Sequence, residues 1–234
     1  MSPIVNRLCW AIKHGEPIPP FPEKLDIAEA YEVQKKVSKR IYSSKLVGLK
    51  AGVTSKEMQK SLRISSPLIG GLFQENRLDE NPKLPFREER LIECELGIFS
   101  DIHGNVQAIC PAIEFAVLDF EKKTDLRGPN LVASNVAVEK FLLGKKSIDV
   151  DSLSKEKCSL FLGNTKVNEA DIGDSLGGPK EAAKFIASEA LRWGFPLQEE
   201  FVFLSGACGA VTKAEPGKYR AEFGDLGELK FEII

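Results

Sequence analysis

The chain lacks any CxxC pair, and its five cysteines (Cys9, Cys94, Cys110, Cys158 and Cys208) are odd in number and widely scattered. Neither a structural zinc site nor a disulfide framework is supported, and a reducing, cytoplasmic compartment is expected. No apolar stretch approaches the ~18 residues of a membrane span, so no membrane is expected as a partner. The opening residues, through Lys13 and His14, are too polar for a signal peptide. No Lys/Arg stripe with interleaved aromatics appears, and the formal net charge is only −2. Nucleic acid is therefore not an expected partner. The phosphate-loop pattern GxxxxGKS/T is absent, and no GxGxxG follows a strand and opens a helix. Internal repeats and low-complexity segments are also missing.

What is present is an ordinary globular composition, 43% hydrophobic and 28% charged over 234 residues. That length fits one domain of good size or two small ones. Asp26 with Glu29 makes a capping box for an amphipathic helix over 27–42, carrying Ala30, Val33, Val37 and Ile41 inward. Thr54 with Glu57 repeats that signal for a short helix ending near Leu62. Strands are expected over 46–53, 91–99 and 111–118, a loop over 65–73 leads into a short strand, and turn chemistry stands at Asp101–Asn105. Residues 119–130 read as loop. A hairpin on Gly163-Asn164 follows. Pro179 then opens a helix that Gly194 and Pro196 stop. A strand from Phe201 feeds a small-residue loop, and alternation over 218–223 and 228–233 gives a closing hairpin.

The most informative stretch is Leu91–Phe99. As a strand it turns Ile92, Cys94, Leu96 and Ile98 to one face and Glu93 and Glu95 to the other, with Gly97 leaving open space beyond them. Two carboxylates at this spacing lie roughly 6–7 Å apart at Cα. Their oxygens can meet on one hard divalent cation such as Mg²⁺ or Mn²⁺. The plainer reading is an amphipathic strand with a wet acidic face. Glu114 is a single acid among Ile113, Phe115, Val117 and Leu118, where a carboxylate costs free energy unless it is paired or holds a cation. Lys50, amid small and apolar neighbours, either snorkels outward or is desolvated with a lowered pKa. Taken alone, Glu75 reads as a surface carboxylate, and Asn135 as a turn or backbone hydrogen-bonding residue.

Seven pieces stand in the order of one known family: AYEVQ at 30–34, GLKAGVT at 48–54, LF-x-E at 72–75, IECEL at 92–96, PAIEFAV at 111–117, LGGPKEAA at 176–183 and LSGACGAV at 204–211. Over about Ala28 to Ile233 the chain resembles the hydratase/decarboxylase branch of the fumarylacetoacetate hydrolase superfamily. The resemblance implies an α+β fold, a mixed β-roll with outer helices. It implies a single domain over 1–234, with 1–65 a helical N-terminal part and 66–234 the β-roll core. It implies Mg²⁺ or Mn²⁺ held by Glu93, Glu95 and Glu114, and Lys50 as the active-site lysine. Glu75, where relatives often carry Asp, would orient Lys50 or activate water. Asn135 would line the site, and Ser205 and Gly206 would close over a bound 2-oxo acid. The implied activity is metal-dependent hydration of a 2-hydroxy-dienoate or 2-oxo-4-enoate. Decarboxylation of a 2-oxo dicarboxylic acid and a catalytically silent partner subunit are the alternatives, and homo-oligomerisation is implied.

The chain departs from the family it resembles in Ser134-Asn135-Val136-Ala137-Val138-Glu139, where that family's members often place Asp before the Asn and small residues with Ser or Gly after it. Ala137 and Glu139 therefore bear on substrate contacts. The connection from the E-x-E pair to Glu114 is short. Neither His14 nor His103 stands where the C–C bond hydrolases of this superfamily keep a catalytic His, which counts against a hydrolase.

Overall fold

The computed structural model describes residues 3–22, 24–148 and 156–234. Helix α1 (Pro3–His14) buries Ile4, Val5, Leu8 and Ala11, one stripe at helical spacing. Helix α2 (Ile27–Ile41) begins at the expected capping box: Asp26 accepts from the Glu29 amide at 2.8 Å, and Glu29 accepts from the Asp26 amide at 3.0 Å. The short helix α3 (Lys56–Ser61) is capped one residue later than expected, by Ser55, whose hydroxyl accepts from the Met58 amide. Helix α4 (Gly128–Ala133) occupies the end of a stretch expected to be loop. Helix α5 (Pro179–Trp193) has Pro in its first turn and Gly194 in a left-handed cap.

One sheet runs β2 (Leu68–Phe73), β1 (Leu46–Gly52), β9 (Phe201–Leu204), β4 (Arg90–Ser100), β5 (Val106–Val117) and β6 (Val138–Leu143), with β10 (Thr212–Lys213) joining β4 beyond β9. A second runs β3 (Lys83–Leu84), β12 (Glu228–Ile233), β11 (Gly217–Glu222), β7 (Lys157–Leu162) and β8 (Thr165–Asp171). The pairs β1/β9 and β12/β3 are parallel and the rest antiparallel. The architecture is thus mixed α+β, as expected. Because β1 is an interior strand between β2 and β9, residues 1–65 are not purely helical: they contribute to the sheet itself.

The apolar face of β4 (Ile92, Cys94, Leu96 and Ile98) joins the main core, where Phe115 of β5 meets Phe231 of β12 edge to face at 5.0 Å. Tyr31 stacks on Trp193 at 4.3 Å and accepts from the Ile69 amide, tying α2 to α5 and β2. The β4–β5 hairpin is long because its turn is well made: the Asp101 carboxylate accepts from the amides of His103 and Asn105, each at 2.9 Å. Strand β5 starts at Val106, five residues before the expected Pro111, and runs straight through that proline. Among the described residues no helix is long and apolar enough to cross a membrane.

Candidate active site

The period of two along β4 and the β4/β5 register bring the three glutamates together. Glu93 and Glu95 lie on one face of β4, and Glu114 of β5 is directly opposite Glu93. One carboxylate oxygen from each can be chosen so that all three lie within 4.8 Å of one another. Glu95 and Glu114 are fully buried, while Glu93 is half-buried. The acidic face is therefore not the wet surface of an ordinary amphipathic strand.

Sheet geometry also explains how Lys50 reaches them. Strand β9 separates β1 from β4 only as far as Leu204, which pairs with both Lys50 and Gly97. There the chain leaves the sheet, and it returns at β10 opposite Ile92 and Leu91. Across the gap the Lys50 ammonium approaches Glu114 Oε1 at 2.8 Å, with both side chains buried. Gly52, next but one along β1, keeps this space open: a Cβ there would come within 2.6 Å of Val136 and 3.1 Å of the Lys50 nitrogen.

Three carboxylates against one ammonium leave negative charge uncompensated. Glu95 Oε2 accepts from the Gly206 amide at 2.8 Å, but its other oxygen and Glu114 Oε2 have no hydrogen-bond donor. Buried acceptors in this condition are costly, and a hard cation satisfies them. Burial, then the charge of Glu114, pushes Glu93 up to about 7, with Lys50 pulling the other way. Burial, then Glu114 and Glu93, raises Glu95 well above the usual carboxylate range. Burial raises Glu114 too, against the pull of Lys50. Burial works to lower the Lys50 pKa, yet the attraction of Glu114, Glu93 and Glu95 outweighs it and the net shift is upward. The lowered pKa expected for this lysine is corrected accordingly: it is held protonated.

A carboxyl whose folded-state pKa is raised contributes stability below its unfolded value and loses it as pH rises through the folded value. For Glu93 the window runs from 4.5 to about 7. In metal-free protein the melting temperature of wild type minus that of Glu93→Gln should therefore fall steadily across this window. Saturating Mg²⁺ should abolish the trend. A flat difference without metal would refute the crowded-carboxylate description.

Of the other expected site residues, Glu75 lies elsewhere and Gly206 lies at the site. Glu75 is exposed, in a 3₁₀ turn after β2, and accepts from the Ser43 amide at 3.0 Å and the Ser44 hydroxyl at 3.2 Å. It borders a separate cavity of about 540 Å³ of mixed charge, with Tyr42, Glu139 and Lys140, and the carboxylate paired with Lys50 is Glu114 instead. Asn135 turns its amide away to clamp β2, accepting from the Gly71 amide at 2.7 Å and donating to the Gly71 carbonyl at 2.9 Å. Ser205 accepts from the Leu96 amide at 3.1 Å, and Gly206 holds Glu95, so this loop positions a candidate ligand. The space beyond Gly97 is filled: a Cβ there would lie 2.6 Å from Cys110 Sγ. Glu139 belongs to an ion cluster, 2.6 Å from Arg90 Nε and 3.3 Å from Arg87 Nη1.

Beside Glu93 and Lys50 opens a cavity of about 260 Å³. Of its lining, Lys50, Glu93 and Ala137 were foreseen and most of the rest was not. The walls include Val136 and Ala137, which with Asn135 form three consecutive non-glycine residues at positive φ (60°, 53° and 63°). Such backbone costs about 1–3 kcal/mol per residue and persists only where the surroundings enforce it, here through the Asn135 clamp. Ala207, Gly209 and Val211 close another side. The sequence signal for this wall was the small-residue run after Leu204.

No family model matches the chain. It is 27% identical over 204 residues to a 2-keto-4-pentenoate hydratase of Paraburkholderia phymatum, covering 80% of this chain and 77% of that protein. It is 26% identical over 253 residues to the 2-keto-4-pentenoate hydratase of Burkholderia vietnamiensis, covering 98% and 96%. In fold it is similar to 4-oxalocrotonate decarboxylase from Pseudomonas putida G7, a structure complexed with magnesium and adipate, at TM-score 0.87 and 19% identity, covering 99% and 96%.

Proposed function

We propose that the chain, similar over nearly its whole length to 2-keto-4-pentenoate hydratases, belongs to the hydratase/decarboxylase branch of the fumarylacetoacetate hydrolase superfamily and is a lyase adding water to a 2-oxo-4-enoate, supplied as the 2-hydroxy-2,4-dienoate. The observation that carries the reading is the set of three crowded glutamates, Lys50 and an apolar cavity meeting at one point. Glu93, Glu95 and Glu114 would hold Mg²⁺ or Mn²⁺, since their donor set is all oxygen and two of their buried oxygens lack any other partner. When bound, such a dication supplies a Lewis acid that holds a 2-oxo carboxylate and offsets negative charge growing on its C2 oxygen.

The chain's own residues do the rest. Lys50, kept protonated by its carboxylate neighbours, presents a proton and a positive charge at the cavity floor. Glu93, the one of the three carboxylates that lines the cavity, would hold the cation on the side facing the bound acid. Gly206 fixes Glu95, and the largely apolar lining lowers the local dielectric, which strengthens the charge interactions beside it. In the net reaction the hydroxyl of one water joins C4, protons reach C3 and C5, and the enol hydrogen leaves the C2 oxygen. A 2-hydroxypenta-2,4-dienoate thus becomes 4-hydroxy-2-oxopentanoate. Decarboxylation would require a second carboxylate in the cavity, where among the described lining residues the one cation, Lys50, is already paired. Self-association and a cytoplasmic location belong to the same proposal.

The test is loss of diene absorbance from 2-hydroxypenta-2,4-dienoate with and without Mg²⁺ or Mn²⁺, followed by product identification. Metal-dependent loss giving 4-hydroxy-2-oxopentanoate is the expected result. Persistent absorbance with metal bound would overturn the hydratase reading.

A further inference from the structure

Ala137 lines the active-site cavity on one side and the mixed-charge cavity of about 540 Å³ on the other. Packing behind the left-handed run of Asn135, Val136 and Ala137 is therefore thin at its last residue. Backbone of this kind relaxes unless its surroundings enforce it. The Asn135 clamp on Gly71 secures only the N-terminal end of the run. Two residues beyond Ala137 stands Glu139. Its carboxylate takes a two-pronged hold from Arg90, Nε to Oε2 at 2.6 Å and Nη2 to Oε1 at 2.9 Å. Arg87 adds a contact at 3.3 Å, and Asn76 donates to the Glu139 carbonyl at 2.9 Å. The run is thus pinned at both ends.

Arg90 is 2% exposed at the head of β4, three positions before Glu93, and an arginine so buried needs a partner. Its third nitrogen, Nη1, donates to the Pro85 carbonyl. Its own carbonyl accepts from the Ala214 amide at 2.9 Å, just after the loop carrying Ala207, Gly209 and Val211 returns to the sheet. One residue thus fastens two walls of the cavity to the strand that bears Glu93 and Glu95. Resting on the hydratase reading above, we infer that Arg90 and Glu139 are a positioning pair for the reaction. They fix the wall of Val136 and Ala137 so that an acid held at the glutamates lies in register with Lys50. As a source of stability the pair is replaceable, since two apolar side chains of like volume serve as well or better. What the fork supplies is direction: two parallel bonds settle where the backbone at Glu139 stands.

The experiment measures turnover of 2-hydroxypenta-2,4-dienoate by the Mg²⁺-saturated full chain, with Mg²⁺ calorimetry and melting curves on each variant. Arg90→Lys keeps the charge and loses the fork. Arg90→Met with Glu139→Leu removes both partners together, strands neither charge and so stays folded. In both variants kcat/KM should fall at least about tenfold, because a misplacement of about 1 Å suffices to cost on the order of 10²-fold. KM should rise as part of that loss, whereas partial unfolding lowers kcat alone. Mg²⁺ affinity should stay at the wild-type value, since none of the three glutamates is altered. Wild-type kcat/KM, or an unchanged KM, in the folded variants would overturn the inference and leave the hydratase reading intact. A parallel fall in Mg²⁺ affinity would also overturn it, by moving the defect to the ligands themselves. A wild-type chain that turns over no dienoate with metal bound would overturn both.

Discussion

Replacing Glu95 with Gln should lower metal-saturated kcat/KM by at least about 10³-fold and yet raise the melting temperature of the metal-free protein. The first effect follows from removing one of three oxygen donors whose ligand atoms lie within 4.8 Å of one another. It also removes charge at the point where the reaction needs a cation held, and losing one such electrostatic element costs on the order of 10²–10³ by itself. The second effect has the opposite sign because Glu95 is fully buried beside Glu93 and Glu114, with one oxygen lacking any donor. Glutamine keeps the shape. Its carbonyl can still accept from the Gly206 amide, and its amino group can donate toward a neighbouring carboxylate. Titration calorimetry with Mg²⁺ and Mn²⁺, alongside melting curves with and without metal, separates the effects. Wild-type metal affinity in the variant would remove Glu95 from the ligand set. A lower melting temperature without metal would show that repulsion among the three carboxylates is already relieved in the folded chain.

The same opposition of site and stability shows which parts of this chain can be read from its residues. The placing of Glu93 and Glu95 on one face of β4 was legible because a period of two allows a single assignment of faces once Ile92, Cys94, Leu96 and Ile98 are taken inward. Glu114 was legible because an acid inside an apolar strand has few inexpensive explanations. Capping chemistry located α2 through Asp26 and Glu29, and α5 through Pro179 and Gly194. Glu75 misled because its neighbourhood is set by a 3₁₀ turn after β2 and by two serine residues, Ser43 and Ser44, some thirty positions earlier. No local pattern reports such a partner. Asn135 misled for a related reason: left-handed backbone normally signals glycine, and here it runs through Asn135, Val136 and Ala137 on the strength of two buried hydrogen bonds to β2. Gly97 looked like open space because a missing side chain is silent about what fills its place, which is Cys110 on the paired strand. Most of the cavity wall beside Lys50 escaped notice because its members come from separate segments, each an ordinary residue of its own element.

Lys50→Met tests the other half of the charge arrangement. Methionine fills much of the volume of a side chain that is 3% exposed, so the change is chiefly loss of the ammonium 2.8 Å from Glu114. Removing one partner of a buried pair typically destabilises by about 3–5 kcal/mol because the remaining charge is stranded. Here it strands a carboxylate already crowded by two others, so the metal-free variant should melt well below wild type. The penalty should shrink as pH falls, because burial already raises all three glutamates and a carboxyl that takes up a proton no longer needs the lysine. Mg²⁺ should also shrink it, since a dication replaces the lost positive charge. Activity separates two roles that stability alone leaves merged. If Lys50 delivers a proton to the reacting carbon skeleton, metal-saturated kcat should fall about 10²–10⁴-fold even where melting temperature is restored. If Lys50 only balances charge, metal should restore both together, and kcat within tenfold of wild type would remove it from the reaction. The proton-delivering role predicts the first outcome, with kcat lost and metal affinity retained in one protein.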